Sequence, residues 1–198
     1  MNIDLIPIYM YNVDMIYKYS DLLKKHKSRR EVDGLIKKGQ YIKISRGIYK
    51  NKNDLLDDYV HLCTRYKNIT ITLQSAAYYY QLTDFVPDKS YVVSLSKGTI
   101  IKDQKVSQSF MKDEIFYIGR EKVNTDQGYI YIYDKERLLI EIIRLKSKLP
   151  YDFYKEVCNS FRDLVKQEKI DLSKIVKYAH QLSTRGDGIL KTILEVIL

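Results

Sequence analysis

The chain is poor in cysteine and histidine, the residues on which disulfide frameworks and metal sites depend. Its 198 residues include two cysteines, Cys63 and Cys158, and three histidines. Two cysteines are too few for a disulfide framework, and neither has metal-ligand spacing. Both are predicted to be small buried hydrophobes in a reducing cytosol. The sequence therefore predicts a cytoplasmic protein and excludes small secreted scaffolds.

Long apolar runs, a secretory leader and recognisable catalytic motifs are also missing. No window approaches the ~18 uncharged apolar residues of a membrane-spanning helix, and the first four residues lack the basic start of a signal peptide. His26, His61 and His180 lie far apart, and we interpret them as surface or packing residues. There is no glycine-rich phosphate loop and no G-x-S-x-G elbow. We expect no catalytic residue, no metal ion and no cofactor, and hence a protein that is not an enzyme.

Positive charge is in excess and is concentrated near the N-terminus. The chain has 34 Lys and Arg against 25 Asp and Glu, a net charge of +9. Residues 1–53 contain twelve basic and five acidic groups, a balance of +7, which leaves +2 for the rest. Such a cluster favours a polyanion, because each neutralised phosphate releases condensed counterions. A lysine-rich solvated surface is the alternative interpretation.

A capping box predicts a helix over about residues 28–38. Ser28 can accept a hydrogen bond from the third helical N–H, and Glu31 can reach back to the cap. Val32, Leu35 and Ile36 recur with helical spacing and form one buried stripe. The opposite face presents Arg29, Arg30, Asp33 and Lys37. The glycine that follows, at position 39, suits a left-handed helix terminus.

The neighbouring segments predict a second helix and a hairpin. Ser20 is typical of the cap of a helix that runs to Lys25, and a tight His26-Lys27 turn follows. Residues 41–45 alternate as a strand does, and Gly47 allows the positive φ of a hairpin that returns over residues 48–50. This order predicts a winged helix-turn-helix with Arg46 at the wing tip, where it reaches a phosphate or a narrow minor groove.

The first seventeen residues are less regular. Ile3, Leu5, Ile8 and Tyr11 have the spacing of a first helix, with Pro7 in its opening turn. Residues 15–17 favour a short extended segment that closes the sheet.

Residues 54–198 predict a mixed α+β domain with a helical C-terminal end. Helices are expected after Asn53 and after Thr72, where the threonine caps the helix. Strands are predicted over 69–71, 91–95, 106–111, 115–118 and 129–133. From Asp134 onward the periodicity is helical. One helix is predicted to end before Pro150, and a second to cover 151–168. Two more are predicted over 172–181 and 188–197, capped by Asp171 and Asp187. The chain as a whole is thus predicted to be α+β, with domains 1–53 and 54–198.

Two further patterns in the second domain are open to more than one interpretation. One is a polar motif on a single helix face, formed by Asp134, Arg137, Glu141 and Arg144. It is either a salt-bridged surface, in which each pair contributes a few tenths of a kcal/mol, or a conformational anchor or contact site. The nineteen tyrosines suggest base stacking, but their alternation at 129, 131 and 133 is more typical of packing in a strand.

Three segments resemble blocks of a known family, in the same order. Residues 35–49, LIKKGQYIKISRGIY, resemble the wing signature LxxLxKxGxLxRxxRGxY of the AbiEi antitoxins. Residues 72–82, TLQSAAYYYQL, resemble the family's S-x-x-SAL-x-x-x-x-L helix, and residues 134–144, DKERLLIEIIR, resemble its DPERTLLDLLR helix. The chain departs from the family at Lys135 for proline, at Lys43 for arginine, and at the His26-Lys27 turn.

The resemblance implies the antitoxin of a type IV toxin–antitoxin system that acts in phage abortive infection. Members have a winged helix that represses their own operon at inverted repeats in the promoter. Their C-terminal domain counteracts a nucleotidyltransferase-like toxin without a stable complex. A monomer in solution, with two copies on DNA, is compatible with this arrangement.

These patterns together predict the DNA contacts. Arg29 and Arg30 would enter the major groove with Lys37 farther along, while Ser28 and the helix N-terminus hold a phosphate. The other basic residues of this segment would contact the DNA backbone. The full predicted set of DNA-contacting residues is Lys24, Lys25, Lys27, Ser28, Arg29, Arg30, Lys37, Lys38, Lys43, Arg46 and Lys50. Two alternatives remain open: an enzyme that acts on nucleotide, tRNA or toxin with the winged helix as a targeting module, and a generic winged-helix regulator that binds a small effector.

Overall fold

The computed structural model describes residues 16–54, 56–182 and 186–197. The chain is a mixed α+β protein with a helical C-terminal end, which confirms the predicted class. It divides into two compact units: residues up to His61 together with 124–128, and residues 62–123 together with those from 129 onward. Among the helices of the described ranges, none has the length and apolar character needed to cross a bilayer.

The first unit combines two short helices with a three-stranded antiparallel sheet. Its elements are β1 (Ile16–Lys18), α1 (Tyr19–Lys25), α2 (Arg29–Lys37), β2 (Tyr41–Ser45) and β3 (Ile48–Asn51), followed by the start of α3 (Asp58–Arg65). β3 is central and pairs with β1 and β2. Strand β1 confirms the extended segment predicted to close the sheet. The helix predicted around Ile3 to Tyr11 lies outside the described residues.

The core of this unit joins the helices to the sheet. Tyr17, Leu22, Val32 and Tyr41 are buried together, and Leu35 and Ile36 pack against them. Full burial of an aliphatic side chain such as Leu22 contributes about 1.5–3 kcal/mol. The predicted stripe on α2 therefore faces the core, which leaves the opposite face to solvent.

Hydrogen bonds of side chains and backbone define where α1 begins and where α2 ends. α2 ends in a Schellman motif, in which Gly39 has φ +71° and the Gln40 N–H donates to the Leu35 carbonyl at 3.0 Å. This confirms the predicted left-handed glycine. The predicted cap of α1 was wrong, because the helix begins at Tyr19 and the Asp21 carboxylate accepts the Lys18 N–H at 3.3 Å, so Ser20 lies inside the first turn.

The second unit contains a five-stranded mixed sheet in the order β6-β5-β4-β8-β7. Strand β4 is antiparallel to β5 and parallel to β8, and β5 is parallel to β6. The elements are β4 (Ile69–Ile71), α4 (Leu73–Tyr79), β5 (Ser90–Leu95), β6 (Val106–Met111), α5 (Asp113–Phe116), β7 (Arg120–Thr125), β8 (Gly128–Tyr133), α6 (Lys135–Arg144), a 3₁₀ turn (Lys146–Lys148), α7 (Tyr151–Lys166), α8 (Leu172–Leu182) and α9 (Gly186–Ile197).

Four local predictions in this unit were wrong or incomplete. Thr72 occupies the N-cap position of α4, but its side chain does not make the predicted capping hydrogen bond. The segment 115–118 does not form a strand; two acids favour the N-terminus of helix α5, whose Phe116 is fully buried. Strand β7 was missed because it is an edge strand rich in charge. α9 begins at Gly186, so Asp187 lies in its first turn rather than before it. A Cβ on Gly186 would lie 2.9 Å from the Ala179 carbonyl, so the close approach to α8 requires glycine there.

Candidate functional site

The turn between α1 and α2 is built by a displaced capping box. The Ser28 hydroxyl accepts the Glu31 N–H at 3.2 Å, as predicted. The Glu31 carboxylate reaches back one residue farther than predicted and accepts the Lys27 N–H at 3.1 Å. One N–H group in the first turn of α2 and one in the turn before it are thereby satisfied, which fixes the entry of the chain into the helix.

His26 ties this turn to the sheet, a role that its sequence position gave no means to predict. Its Nε2 and the Tyr41 hydroxyl share a hydrogen bond of 3.1 Å, and its Nδ1 lies 3.4 Å from a Glu31 carboxylate oxygen. The His26 and Tyr41 rings also meet edge to face, with centroids 5.7 Å apart. The turn is therefore held by three side chains from three elements.

The outer face of α2 forms an open groove of about 590 Å³. It is lined by Arg29, Arg30, Asp33, Gly34 and Lys37. The three cations are exposed, which agrees with the predicted polar face. The Arg29 guanidinium lies 3.9 Å from the Asp33 carboxylate, and a surface pair of this length contributes little to stability. The groove thus presents hydrogen-bond donors and positive charge to solvent.

Asp33 is the acidic residue in the lining of this cationic groove, and a hydrogen bond from Tyr19 holds its side chain. The Tyr19 hydroxyl donates to the Asp33 carboxylate at 2.7 Å. This hydrogen bond is the main reason that the pKa of Tyr19 is raised, so the phenol stays protonated and remains a donor. The carboxylate of Asp33 therefore has a fixed position on the α2 surface.

The hairpin between β2 and β3 projects a further cation from the first unit. Arg46 is exposed at its tip, beside Gly47 with φ +74°. The Gly47 carbonyl accepts the Tyr19 N–H at 2.9 Å, which ties the hairpin tip to the start of α1. Lys43 on β2 is exposed as well.

Most residues of the predicted DNA-contacting set lie on the surface of the first unit. The exposed members are Lys24, Lys25, Lys27, Ser28, Arg29, Arg30, Lys37, Lys38, Lys43 and Arg46. The ammonium group of Lys25 donates to the Tyr17 hydroxyl at 3.1 Å and lies over that ring. Lys50 is only half-exposed and donates to the Asp54 carbonyl, so this lysine has an internal partner.

The polar motif at the start of α6 is buried, in contrast to the surface pairs that its spacing suggested. Arg137 is fully buried, and its guanidinium lies 2.8 Å from the Glu141 carboxylate. The same guanidinium donates to the Ile115 carbonyl at 3.3 Å and lies over the Tyr133 ring. Arg144, partly exposed, also pairs with Glu141 at 3.1 Å. The interpretation as a salt-bridged surface was therefore wrong for Arg137 and Glu141, because both side chains are buried.

Asp134 joins this motif to α8. Its carboxylate accepts the Arg137 N–H at 2.8 Å and the Tyr178 hydroxyl at 3.0 Å, and the Lys174 ammonium lies 3.6 Å away. Burial raises the pKa of Asp134, and the hydrogen bonds from Arg137 and Tyr178 partly oppose that rise. Burial also raises the pKa of Tyr178 to about 12. Sequence spacing gave no signal for Lys174 and Tyr178, since they lie some forty residues downstream.

A glycine makes room for this buried motif. Gly119 has φ +68°, and a Cβ there would lie 2.5 Å from the Cβ of Arg137 and 2.9 Å from the Asp134 carboxylate. Its carbonyl accepts the Asp134 N–H at 2.7 Å. Only glycine fits this conformation and this space.

The alternating tyrosines of β8 are covered by cations. Lys122 lies 4.4 Å from the centroid of Tyr129, and Arg120 lies 3.6 Å from that of Tyr131. Arg137 covers the buried Tyr133. These contacts favour packing over base stacking as the role of the three rings.

Comparison with known proteins identifies a similar fold. No protein-family model matches the chain, and no curated protein matches it. The chain is similar to the crystal structure of the RV2827C protein from Mycobacterium tuberculosis, with a TM-score of 0.60 and 14% sequence identity. The match covers 92% of this chain and 72% of that chain. At this identity the similarity establishes the shared fold alone.

Proposed function

We propose that the chain is a DNA-binding transcriptional autorepressor and the antitoxin of a type IV toxin–antitoxin system. In this proposal the first unit is a winged helix-turn-helix, with α2 as the recognition helix and the β2–β3 hairpin as the wing. The observation that carries the DNA-binding part is the cationic outer face of α2, where Arg29, Arg30 and Lys37 line an open groove.

The chemistry of that face suits a DNA duplex. α2 enters the major groove, where an arginine such as Arg30 donates two hydrogen bonds to a guanine. The N-terminus of α2 attracts a phosphate, because its N–H groups and dipole favour negative charge. Arg46 reaches the backbone or the minor groove from the wing, and the exposed lysines neutralise phosphates without reading sequence.

The antitoxin part of the proposal depends on the resemblance of three sequence segments to the AbiEi family. The third segment contains Asp134, Arg137 and Glu141, all of which are buried. We assign these three residues a role in holding the second unit together rather than in touching a toxin. That assignment is consistent with a family whose antitoxins form no stable complex with the toxin.

Removing the two N-terminal arginines of α2 tests DNA binding. We expect Arg29→Ala with Arg30→Ala to weaken binding to the DNA upstream of the gene by about 1–3 kcal/mol for each arginine that reads a base. The measurement is a gel shift at fixed salt. Lys166→Ala with Lys169→Ala removes the same charge from exposed positions of the second unit and should leave affinity nearly unchanged. Equal affinity of the arginine variant and the wild type would refute the assignment.

The same variant separates repression from toxin rescue. Co-expressed with a nucleotidyltransferase-like toxin of the kind that the resemblance implies, it should lose repression of a promoter reporter and still restore growth. Loss of rescue by a variant with an unchanged unfolding transition would contradict the separation of the two activities.

A further inference from the structure

The middle of the α2 groove lacks a side chain, and among the described residues none packs closely enough there to require a glycine. Gly34 lies within the helix, where glycine is less stable than alanine because it loses more backbone freedom on folding. Its φ is ordinary for a helix, and a Cβ there would meet no atom of the described part of the chain within 4 Å. Alanine would therefore fit and would stabilise the helix. The gap beside Arg30 and Lys37 instead lets the helix backbone approach another molecule closely.

Asp33, which borders the gap, is unsuited to a surface that only binds phosphate. A carboxylate repels the DNA backbone, yet the Tyr19 hydroxyl fixes this one at 2.7 Å in a groove otherwise lined by cations. A fixed acceptor among donors is suited to a group that presents a hydrogen-bond donor. In the major groove the base edges supply such donors.

We infer that Asp33 and Gly34 form a reading position for a G·C pair, an inference that rests on the proposed DNA-binding function. The gap at Gly34 receives the edge of a cytosine, whose N4 amino group donates to the Asp33 carboxylate. Arg30, one helical turn before Gly34, donates to O6 and N7 of a neighbouring guanine. Tyr19 is a positioning residue, because it acts only through the carboxylate that it holds.

The base chemistry selects cytosine over the alternatives. In the major groove thymine presents the O4 acceptor and a methyl group, and both are unfavourable against a carboxylate. Adenine presents the N6 donor beside the N7 acceptor, and guanine presents two acceptors. Cytosine presents the N4 donor and has no acceptor on its own major-groove edge, so it is the base that Asp33 tolerates best.

Selection from duplexes with a randomised core tests the reading position. The wild type should enrich a site with one position restricted to C, and replacing that C·G pair by T·A should weaken binding by about 10-fold or more. Asp33→Ala should bind this C-to-T duplex as tightly as the selected one, and its affinity for a random duplex should stay equal or rise because a negative charge is removed. Tyr19→Phe should weaken the restriction in the same direction. Tyr49→Phe, which removes a hydroxyl from a neighbouring ring, should leave it unchanged.

Substitution of the glycine tests the gap by a readout that structural damage cannot imitate. Gly34→Ala should raise the midpoint of thermal unfolding and lower the affinity for the selected duplex by about 10-fold or more, the reduction expected when one base is no longer read. Gly188→Ala in α9 is the matched control, because a Cβ there also meets no atom within 4 Å among the residues that the structure describes. It should raise stability and leave affinity unchanged.

The outcomes separate this inference from the function on which it rests. A wild type that enriches no sequence and binds duplex DNA no better than an Arg29→Ala, Arg30→Ala variant overturns the proposed function. A wild type that enriches a site, together with an Asp33→Ala variant that keeps the same base preference or a Gly34→Ala variant that binds as tightly, overturns the reading position alone.

Discussion

Helices α2 and α6 begin with nearly the same local chemistry and use it in opposite ways. Each has an oxygen-bearing cap, and each carries an arginine followed four residues later by an acid. In α2 the Arg29 and Asp33 side chains are 81% and 49% exposed and lie 3.9 Å apart. In α6 the Arg137 and Glu141 side chains are 0% and 4% exposed and lie 2.8 Å apart.

The difference shows that burial, rather than spacing, decides what such a pair can do. An exposed pair is screened by water and salt and contributes about 0–1 kcal/mol, so its arginine remains available to a ligand. A buried pair is desolvated, and loss of one partner leaves the other charge in a medium that penalises it. The arginine of α2 is thus suited to binding, and that of α6 to holding the second unit together.

The largest expected effect comes from removing the arginine of α6, and removal of the arginine of α2 is its matched comparison. Arg137→Ala should lower the free energy of unfolding by about 3–5 kcal/mol, because Glu141 stays buried without its closest partner. Arg29→Ala should change it by less than about 0.5 kcal/mol. Urea denaturation of both variants measures the contrast. Replacing Arg137 by Met and Glu141 by Leu together should recover much of the loss. Similar values for Arg137→Ala and Arg29→Ala would contradict the difference in burial between the two pairs.

A smaller effect is expected at the two caps. Asp134→Ala removes the partner of the Arg137 N–H and leaves the Tyr178 hydroxyl unsatisfied, at a cost of about 2 kcal/mol. Ser28→Ala removes one exposed hydrogen bond and should cost about 1 kcal/mol. Ser28→Asn, which retains a capping oxygen, is the control in the same denaturation experiment and should stay close to the wild type. An equal loss at Ser28 and Asp134 would contradict the buried character of the α6 start.

The smallest expected effect is a difference in pH dependence between a buried cap, Asp134, and an exposed cap, Asp171. Burial raises the folded-state pKa of Asp134 above its unfolded value of ~3.9, so the ionised group lowers stability at neutral pH and this penalty fades as pH falls towards that value. The exposed cap of α8, Asp171, has a lowered pKa because the Ser173 hydroxyl donates to it, so its contribution is lost as pH falls below ~3.9.

The unfolding free energy of each variant, Asp134→Asn and Asp171→Asn, is subtracted from that of the wild type at each pH. Each difference isolates the pH dependence of one cap. The first difference should decrease as pH rises from acid towards neutral, and the second should decrease as pH falls through the acid range. If both differences in unfolding free energy changed in the same direction with pH, the two caps would share one environment.

Sequence reasoning succeeded where neighbouring residues decide the structure. The capping oxygen of Ser28, the stripe headed by Val32 and the left-handed Gly39 predicted α2 to within a residue at each end. The strands predicted over 106–111 and 129–133 likewise match β6 and β8 to within a residue, and the helix predicted over 151–168 matches α7.

The burial of the α6 motif depends on residues that the sequence does not place near it. Arg137 is covered by Ile115 and Tyr133 and stands against Gly119, and these contacts exist only once the sheet has formed. Helical spacing describes which residues share a face, and it carries no information on whether that face meets water. The same limit explains why α5 was mistaken for a strand: its apolar residues meet the core of a sheet that local propensity cannot specify.

The bonds of His26 have a consequence for how the first unit meets a ligand. Because the turn is fixed by side chains from α2 and β2, the angle between the two helices is set when the chain folds. The entropy cost of ordering that turn is then part of folding and not of binding, so binding of a ligand needs little rearrangement of the turn. A preassembled surface of this kind should dock quickly, with its rate governed by long-range attraction and hence by ionic strength.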